Sequence, residues 1–320
     1  MKNFYHIDAA SVNDAVSLLD KYGTQAKVIG GGTEQLTTMK EYALPSLPTY
    51  IINLKTVTPA LNTITTDSAG LHVGPLATLA DVNASATVNQ SWPALAAAAG
   101  VVASPQIRNV GTIGGNLCID VFCWYYRWEH NLFNCLRKGG SVCFAVAGDN
   151  SFHSIFGGPK GCYSVHPSDT AVALSALNAS VKTTQRTIPL SQFFYALAPG
   201  HVLKADEIIT DIIVPTPAAG SKQVFLKHRI RRSFDFATAS VGLVATPASG
   251  NVTAASIWLG GVAPTPIEAT AAEAALKGNA ISASVAANVA DAAVSSAIPM
   301  SMNKFKVQIA KTMVKRAVLA

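Results

Sequence analysis

The sequence predicts an α+β protein built from three successive units, and three observations carry that expectation. The first 55 or so residues run helix, strand, glycine turn, strand. The chain is then broken at Val214-Pro215-Thr216-Pro217-Ala218-Ala219-Gly220, where two prolines and small residues carry no core. Beyond that break strands come first and helices afterwards. The 320 residues suit one large domain or two to three ordinary ones. With 49% apolar and only 13% charged residues, the chain has ample core material, which excludes disorder as its main state.

In order, Ser11 caps a helix whose apolar face is Val12, Ala15, Val16 and Leu19 and which ends at Gly23. Ala26–Ile29 reads as a strand running into Gly30-Gly31-Gly32-Thr33, and Tyr50–Leu54 as a second buried strand. The second unit, 56–214, holds a strand at Leu71–Gly74 and helices at Thr78–Ala84 and Trp92–Ala99, Pro93 being acceptable in a first turn. It also holds a segment, 117–165, that contains every cysteine. The third unit, 221–320, has strands between 224 and 262. It then has a helix opened by Pro266 and closed by Gly278, and a weakly helical stretch at 279–298. A last helix follows, with Phe305, Ile309 and Met313 on its inner side and Lys304, Lys311 and Lys315 exposed. No run reaches the roughly 18–20 apolar residues of a bilayer span. Met1–Asp8 lacks the apolar stretch of a secretory signal. The formal net charge of +6 is mild and diffuse, and gives no case for nucleic acid.

Two glycine turns stand out. Val28-Ile29-Gly30-Gly31-Gly32-Thr33-Glu34 is a strand ending in three glycines, whose successive N–H groups form a donor nest for phosphate oxygens. It has neither the Lys of a phosphate-binding P-loop nor the dinucleotide G-x-G-x-x-G spacing. Thr112-Ile113-Gly114-Gly115-Asn116 repeats the combination of glycine, hydroxyl and small residues, and the pair suits a diphosphate gripped from two sides.

These turns resemble the FAD-binding medium subunit of the molybdenum hydroxylases: the carbon monoxide dehydrogenase, xanthine dehydrogenase and aldehyde oxidoreductase enzymes. So do Gly74 with Ala77-Thr78-Leu79-Ala80-Asp81, Arg108-Asn109-x-Gly111, the Asp169 segment, Phe225-Leu226-Lys227, Arg232-x-Phe234-Asp235-Phe236-Ala237 and Leu259–Pro264. The resemblance covers nearly the whole chain, in order. One departure is Glu34-Gln35, where the family more often has Asp or Asn and then Leu. The resemblance implies a PCMH-type FAD-binding domain of two subdomains (1–55 and 56–214) and a CO-dehydrogenase-flavoprotein-like C-terminal domain. Carried over, Gly30, Gly31, Gly32, Thr33 and Glu34 hold the FAD diphosphate, and Thr112, Gly115 and Asn116 do so from the second side. Asp169 holds the ribose or adenine end. Lys227 lies near the isoalloxazine or is a solvated member of the basic run that follows it.

Asn116 and Asp169 are 53 positions apart, whereas ordinary members of that family have only a short link there. The extra residues, about 40, carry Cys118, Cys123, Cys135, Cys143 and Cys162. Four thiolates on one loop suit an iron–sulfur cubane, tetrahedral zinc or two disulfides. Zinc ribbons are poorly matched because no Cys-x2-Cys pair occurs, and disulfides leave an odd cysteine. Phe122, Trp124, Tyr125, Tyr126 and Trp128 read as a small core for the loop, and His130 and His153 as surface loop histidines or alternative ligands.

The insertion resembles that of the 4-hydroxybenzoyl-CoA reductase and periplasmic aldehyde oxidoreductase subgroup. This implies a [4Fe–4S] cluster on Cys123, Cys135, Cys143 and Cys162, with Cys118 a small buried thiol. It further implies a large partner subunit with molybdopterin, a small partner with two [2Fe–2S] clusters and an external electron acceptor. The expectation is an aldehyde oxidoreductase subunit, with an aryl-CoA reductase subunit, a self-contained FAD oxidase and a non-catalytic scaffold as alternatives. No catalytic acid–base constellation is expected on this chain. Assembly is expected in the cytoplasm, the periplasm being reachable beside a signal-bearing partner.

Overall fold

The computed structural model describes residues 1–231 and 233–320; Arg232, within one of the family-like motifs, lies outside them. The chain is α+β. The first unit contains β1 (Tyr5–Asp8), α1 (Val12–Tyr22), β2 (Ala26–Ile29), α2 (Gln35–Glu41) and β3 (Tyr50–Asn53). Its sheet has the order β1-β3-β2 and both pairings are parallel. Ser11 caps α1 by accepting from the Asp14 N–H, and α1 buries Ala15 and Leu19 against the sheet. In a parallel sheet, ligand-binding turns leave the carboxyl ends of strands. The three glycines do so here, between β2 and α2.

The second unit opens with β4 (Ile64–Asp67) and β5 (Gly70–Val73), then α3 (Leu79–Ala84), α4 (Ala86–Ser91), α5 (Pro93–Gly100), α6 (Pro105–Arg108) and α7 (Ile113–Leu117). After α8 (Trp124–Arg127) and the cysteine segment come α9 (Asp169–Ala176), β6 (Ser180–Thr183), β7 (Thr187–Pro189) and β8 (Ile209–Val214). The sheet is antiparallel in the order β4-β5-β8-β6-β7. Its buried face packs Leu71, Val73 and Ile212 against Leu95, Ile113 and Leu174 of the helices. Thr78 and Asp81 form a reciprocal cap that starts α3, and Pro93 occupies the first turn of α5.

On the outer face of this sheet, His72 Nδ1 lies 2.6 Å from Asp211 and Nε2 lies 3.0 Å from Asp67. The Asp211 hydrogen bond, opposed by burial and aided by Asp67, raises the His72 pKa above its ordinary 6.5. The stabilisation is therefore complete below the unfolded value and is lost as pH rises through the folded one. The gap in urea midpoint between wild type and His72→Gln is expected to be widest below about pH 6 and to close in alkaline solution. An unchanged gap from about pH 5.5 to about pH 9 would contradict this assignment.

The third unit contains β9 (Lys222–His228), β10 (Ala239–Ala248), β11 (Asn251–Gly260) and β12 (Ile267–Glu268), followed by α10 (Thr270–Leu276), α11 (Ala283–Ala293) and α12 (Lys304–Leu319). The sheet order is β12-β11-β10-β9, antiparallel throughout. The three helices cover one face. The other face receives α5 and α9, with Ala94, Ala98, Val172, Ala173 and Ala176 against Phe225 and Trp258. This packing carries β9, and Lys227 with it, to the N-terminus of α9.

Two sequence expectations are corrected here. Pro266 does not open a helix, because Ile267 and Glu268 pair with Leu259 and Trp258 of β11 and the helix waits until Thr270. The inner face of the last helix is also rotated: Phe305 is exposed, while Lys306 is fully buried beside Ala310, Met313, Val314 and Ala317. The Lys306 ammonium is satisfied by three carbonyls, those of Phe152 (2.9 Å), His153 (3.0 Å) and Gly261 (2.7 Å). Among the described residues no helix is long and apolar enough to cross a membrane.

Candidate functional site

All three units contribute to one cleft with ≈ 1430 Å³ of empty space, its open mouth included. Residues 28–35 form one wall. Leu79, Val102 and Ile107 with Gly111, Thr112, Gly115 and Asn116 form the second, and Asp169, Lys227 and Phe236 close the third. The sequence-predicted residues Gly30, Gly31, Gly32, Thr33, Glu34, Thr112, Gly115, Asn116, Asp169 and Lys227 thus all line the same space.

The two glycine turns lie directly against each other. A Cβ on Gly31 would stand 2.2 Å from the Val110 carbonyl oxygen, and one on Gly30 would stand 2.9 Å from Thr112 Oγ1. Glycine is required at Gly31 so that one backbone can rest on another. The turns differ in what they offer a ligand. Among the described residues, the backbone N–H groups from Gly31 to Glu34 donate to no acceptor within the chain, which leaves an open donor nest. The second turn spends its donors internally: Gly114 N–H on Pro75 O, Gly115 N–H on Thr112 Oγ1 and Asn116 N–H on Thr112 O. The expected symmetry of two backbone nests is therefore corrected. The second turn is a self-capped helix start that buttresses the first and presents side chains.

Asn116 joins α7 to α9, its Oδ1 accepting from Ser168 Oγ at 2.7 Å and Thr170 Oγ1 at 2.6 Å. At the α9 N-terminus, Asp169 Oδ2 meets Lys227 Nζ at 2.6 Å, with both side chains buried. Burial raises the Asp169 carboxyl from the usual carboxylate range, against the pull of Lys227. Lys227 also donates to Val101 O at 3.2 Å, so it is no member of a solvated basic run. Among the described residues Asp169 Oδ1 is buried without a partner, an acceptor that a ligand in the cleft can satisfy. Asp169 and Lys227 are in direct contact and line the cleft together.

The cysteine segment forms a second hollow beside the cleft, with ≈ 310 Å³ of empty space, its open mouth included. It is lined by Cys123, Cys135, Cys143 and Cys162, with Tyr125, Tyr126, Arg137 and Phe144 among the remaining walls. Cys118 lines the larger cleft instead. All five cysteines are unpaired thiols. Among the described residues no three His, Cys, Asp or Glu side chains stand close enough together for a single metal ion. Four thiols that line one space are a donor set of the kind that can hold a metal centre. Cys123 stands just before α8 and Cys135 just before a short 3-10 turn, Leu136–Lys138. Burial pushes the Cys123 thiol up to about 12, opposed by the backbone N–H groups of Tyr126 and Tyr125. Burial raises Cys135 as well. The guanidinium of Arg137, which lines the cavity, is buried in an ion pair with Asp120 at 2.7 Å that balances its charge.

The two cavities share a partition. Phe122 faces the cleft and Cys123, the next residue, faces the thiol cavity. Arg127 of α8 crosses to Glu34 of the glycine turn with two hydrogen-bonded contacts, 2.8 Å and 3.0 Å. It also donates to the carbonyls of Asp120 and Val121. Burial raises the Glu34 carboxyl despite this partner. Glu34, the position where the sequence departs from its family pattern, has one methylene more than Asp for reaching the inserted segment. Sequence reasoning missed Arg127 and Arg137, whose only local signal is a position two to four residues after a cysteine. It read His153 as a surface loop histidine or an alternative ligand. His153 is buried, with Nε2 3.2 Å from Cys123 Sγ. Burial, together with the Lys306 charge, pushes its pKa down to about 4.

Residues 2–217 match the FAD binding domain in molybdopterin dehydrogenase, and residues 225–320 match the CO dehydrogenase flavoprotein C-terminal domain. The chain is 35% identical over 299 residues to the aldehyde oxidoreductase FAD-binding subunit PaoB of Escherichia coli, covering 89% of this chain and 88% of that one. It is 28% identical over 315 residues to the carbon monoxide dehydrogenase medium chain of Hydrogenophaga pseudoflava, covering 97% of this chain and 94% of that one. A solved structure of the Hydrogenophaga pseudoflava carbon monoxide dehydrogenase superposes with a TM-score of 0.77 at 28% identity, over 100% of this chain and 97% of that one.

Proposed function

The chain belongs to the FAD-binding subunit family of the molybdopterin dehydrogenases, and from that premise we propose that it is the electron-transfer subunit of a three-subunit, molybdenum-dependent aldehyde oxidoreductase. The PaoB likeness along nine-tenths of the chain supports the aldehyde enzyme over other members. The chain's part is to receive electrons from a large molybdopterin subunit through a small subunit's two [2Fe–2S] clusters, and to hand them to an external acceptor. FAD supplies the ability to take electrons singly and release them singly or in pairs.

The open nest at Gly31–Glu34, with Gly30 beneath it, holds the diphosphate, and Thr112 contributes its hydroxyl. Gly115 leaves the floor flat, and Asn116 fixes the α7–α9 junction. Asp169 and Lys227 act as one unit, whose unpartnered Oδ1 accepts from the cofactor. The residues 1–55 and 56–214 form the binding half, and 221–320 seals it through β9.

A [4Fe–4S] cluster is ligated by Cys123, Cys135, Cys143 and Cys162. One observation carries this: four of the five thiols face one cavity, while the fifth faces the flavin cleft. Anaerobically isolated protein, with its companion chains, is expected to show flavin absorption above a broad iron–sulfur shoulder. Single Cys→Ser variants at the four positions are expected to lose the iron and keep the flavin, whereas Cys118→Ser keeps both. Yellow wild-type material that stays iron-free after cluster reconstitution would overturn the cluster, and material that takes up no flavin would overturn the whole reading.

A further inference from the structure

We propose that His153 is a positioning residue for the iron–sulfur site, donating an Nε2–H hydrogen bond to the Cys123 sulfur and thereby raising the cluster's reduction potential. The inference rests on the cluster reading above and goes beyond its ligand set.

The ring stands outside the thiol cavity. His153 is absent from the cavity wall, yet its Nε2 is 3.2 Å from Cys123 Sγ, so it approaches the sulfur from behind rather than as a fifth ligand. The tautomer follows from its other nitrogen. Among the described residues, the buried Nδ1 has no hydrogen-bond partner. A buried N–H left without an acceptor is rarer and costlier than an unfilled lone pair. The proton therefore belongs on Nε2, facing the sulfur. A cluster-ligating sulfur carries no proton of its own, so it must be the acceptor.

Two aromatic rings flank the imidazole, and the His153 backbone is tied down. Trp124 packs edge-on at 5.5 Å between centroids, and Tyr125 lies tilted against the ring at 5.9 Å. The His153 backbone N–H donates to Asn150 O at 3.0 Å. Its carbonyl accepts from Asn303 Nδ2 and Lys306 Nζ, both at 3.0 Å. The donor is thus fixed by groups of the third unit, 150 residues away in sequence for Asn303. A hydrogen bond to a ligating sulfur drains charge from the cluster. It favours the more negative reduced state and so raises the potential.

The test is an EPR-monitored redox titration of the iron-loaded holoprotein with its companion chains, alongside iron analysis. His153→Leu is expected to keep its iron and shift the midpoint potential downward. His153→Gln, whose amide N–H can occupy the Nε2 position, is expected to return it towards the wild-type value. An iron-loaded His153→Leu protein with the wild-type potential overturns the inference and leaves the cluster standing. A wild-type protein that binds no iron overturns the cluster reading, and this inference with it. Should His153→Leu fail to load, pulsed EPR of the reduced wild-type cluster with 15N-labelled histidine decides. A weakly coupled histidine nitrogen supports the bond, and none overturns it.

Discussion

Lys227→Met is expected to cost the flavin-free protein about 3–5 kcal/mol, the usual penalty for removing one partner of a buried ion pair. The substitution keeps most of the aliphatic volume and removes only the charge that meets Asp169 at 2.6 Å. What remains is a carboxyl at the α9 N-terminus with one oxygen already unpartnered and the other newly so. Guanidinium denaturation measures the loss. Two further results identify its cause. The double variant Lys227→Met with Asp169→Leu is expected to recover much of it, because no buried charge is then stranded. The single-variant deficit is also expected to shrink in acid. Burial raises the carboxyl's folded pKa, so protonation at low pH removes the uncompensated charge. A deficit below about 1 kcal/mol, within reach of an exposed pair, would show that the contact is solvated.

Gly31→Ala is expected to weaken flavin binding markedly while adding only a methyl group. The new Cβ would sit 2.2 Å from the Val110 carbonyl oxygen and 2.8 Å from Gly111 Cα, both backbone atoms that have no rotamer to yield. The two turns must part, at a cost of about 1–3 kcal/mol as for other overpacked sites. Parting them spreads the donor nest away from its buttress. Equilibrium dialysis against FAD should show an affinity about 5- to 150-fold weaker, since about 1.4 kcal/mol corresponds to a factor of ten. Wild-type affinity in a folded Gly31→Ala protein would mean that the nest does not hold the ligand.

Much of this site was legible because its signals are local. Three glycines at the end of an apolar strand mean the same thing in any surrounding, and five cysteines confined to one segment point to a shared purpose. What stayed hidden depends on pairing across long stretches of chain. Lys227 and Asp169 are 58 residues apart, and Arg127 and Glu34 are 93 apart. A charge sequence cannot say which lysine of a basic run turns inward. Lys306 was hidden for the same reason: its neighbours are lysine-rich and its helix looks amphipathic without it, yet three carbonyls from two distant loops make burial tolerable. The strand β1 escaped notice because it is a short edge strand with mostly exposed residues, and lacks the apolar run that marked β2 and β3.

The grip of the last helix on the cysteine segment limits how this protein can be dissected. Asn303 and Lys306 hold the 152–154 carbonyls, and the Met302 N–H and Ser301 hydroxyl meet the Asn150 side chain. A fragment cut at the proline-rich break would therefore lose the scaffold of its inserted loop, not merely a neighbouring module. The two halves must be produced as one polypeptide if the thiol cage is to keep its shape.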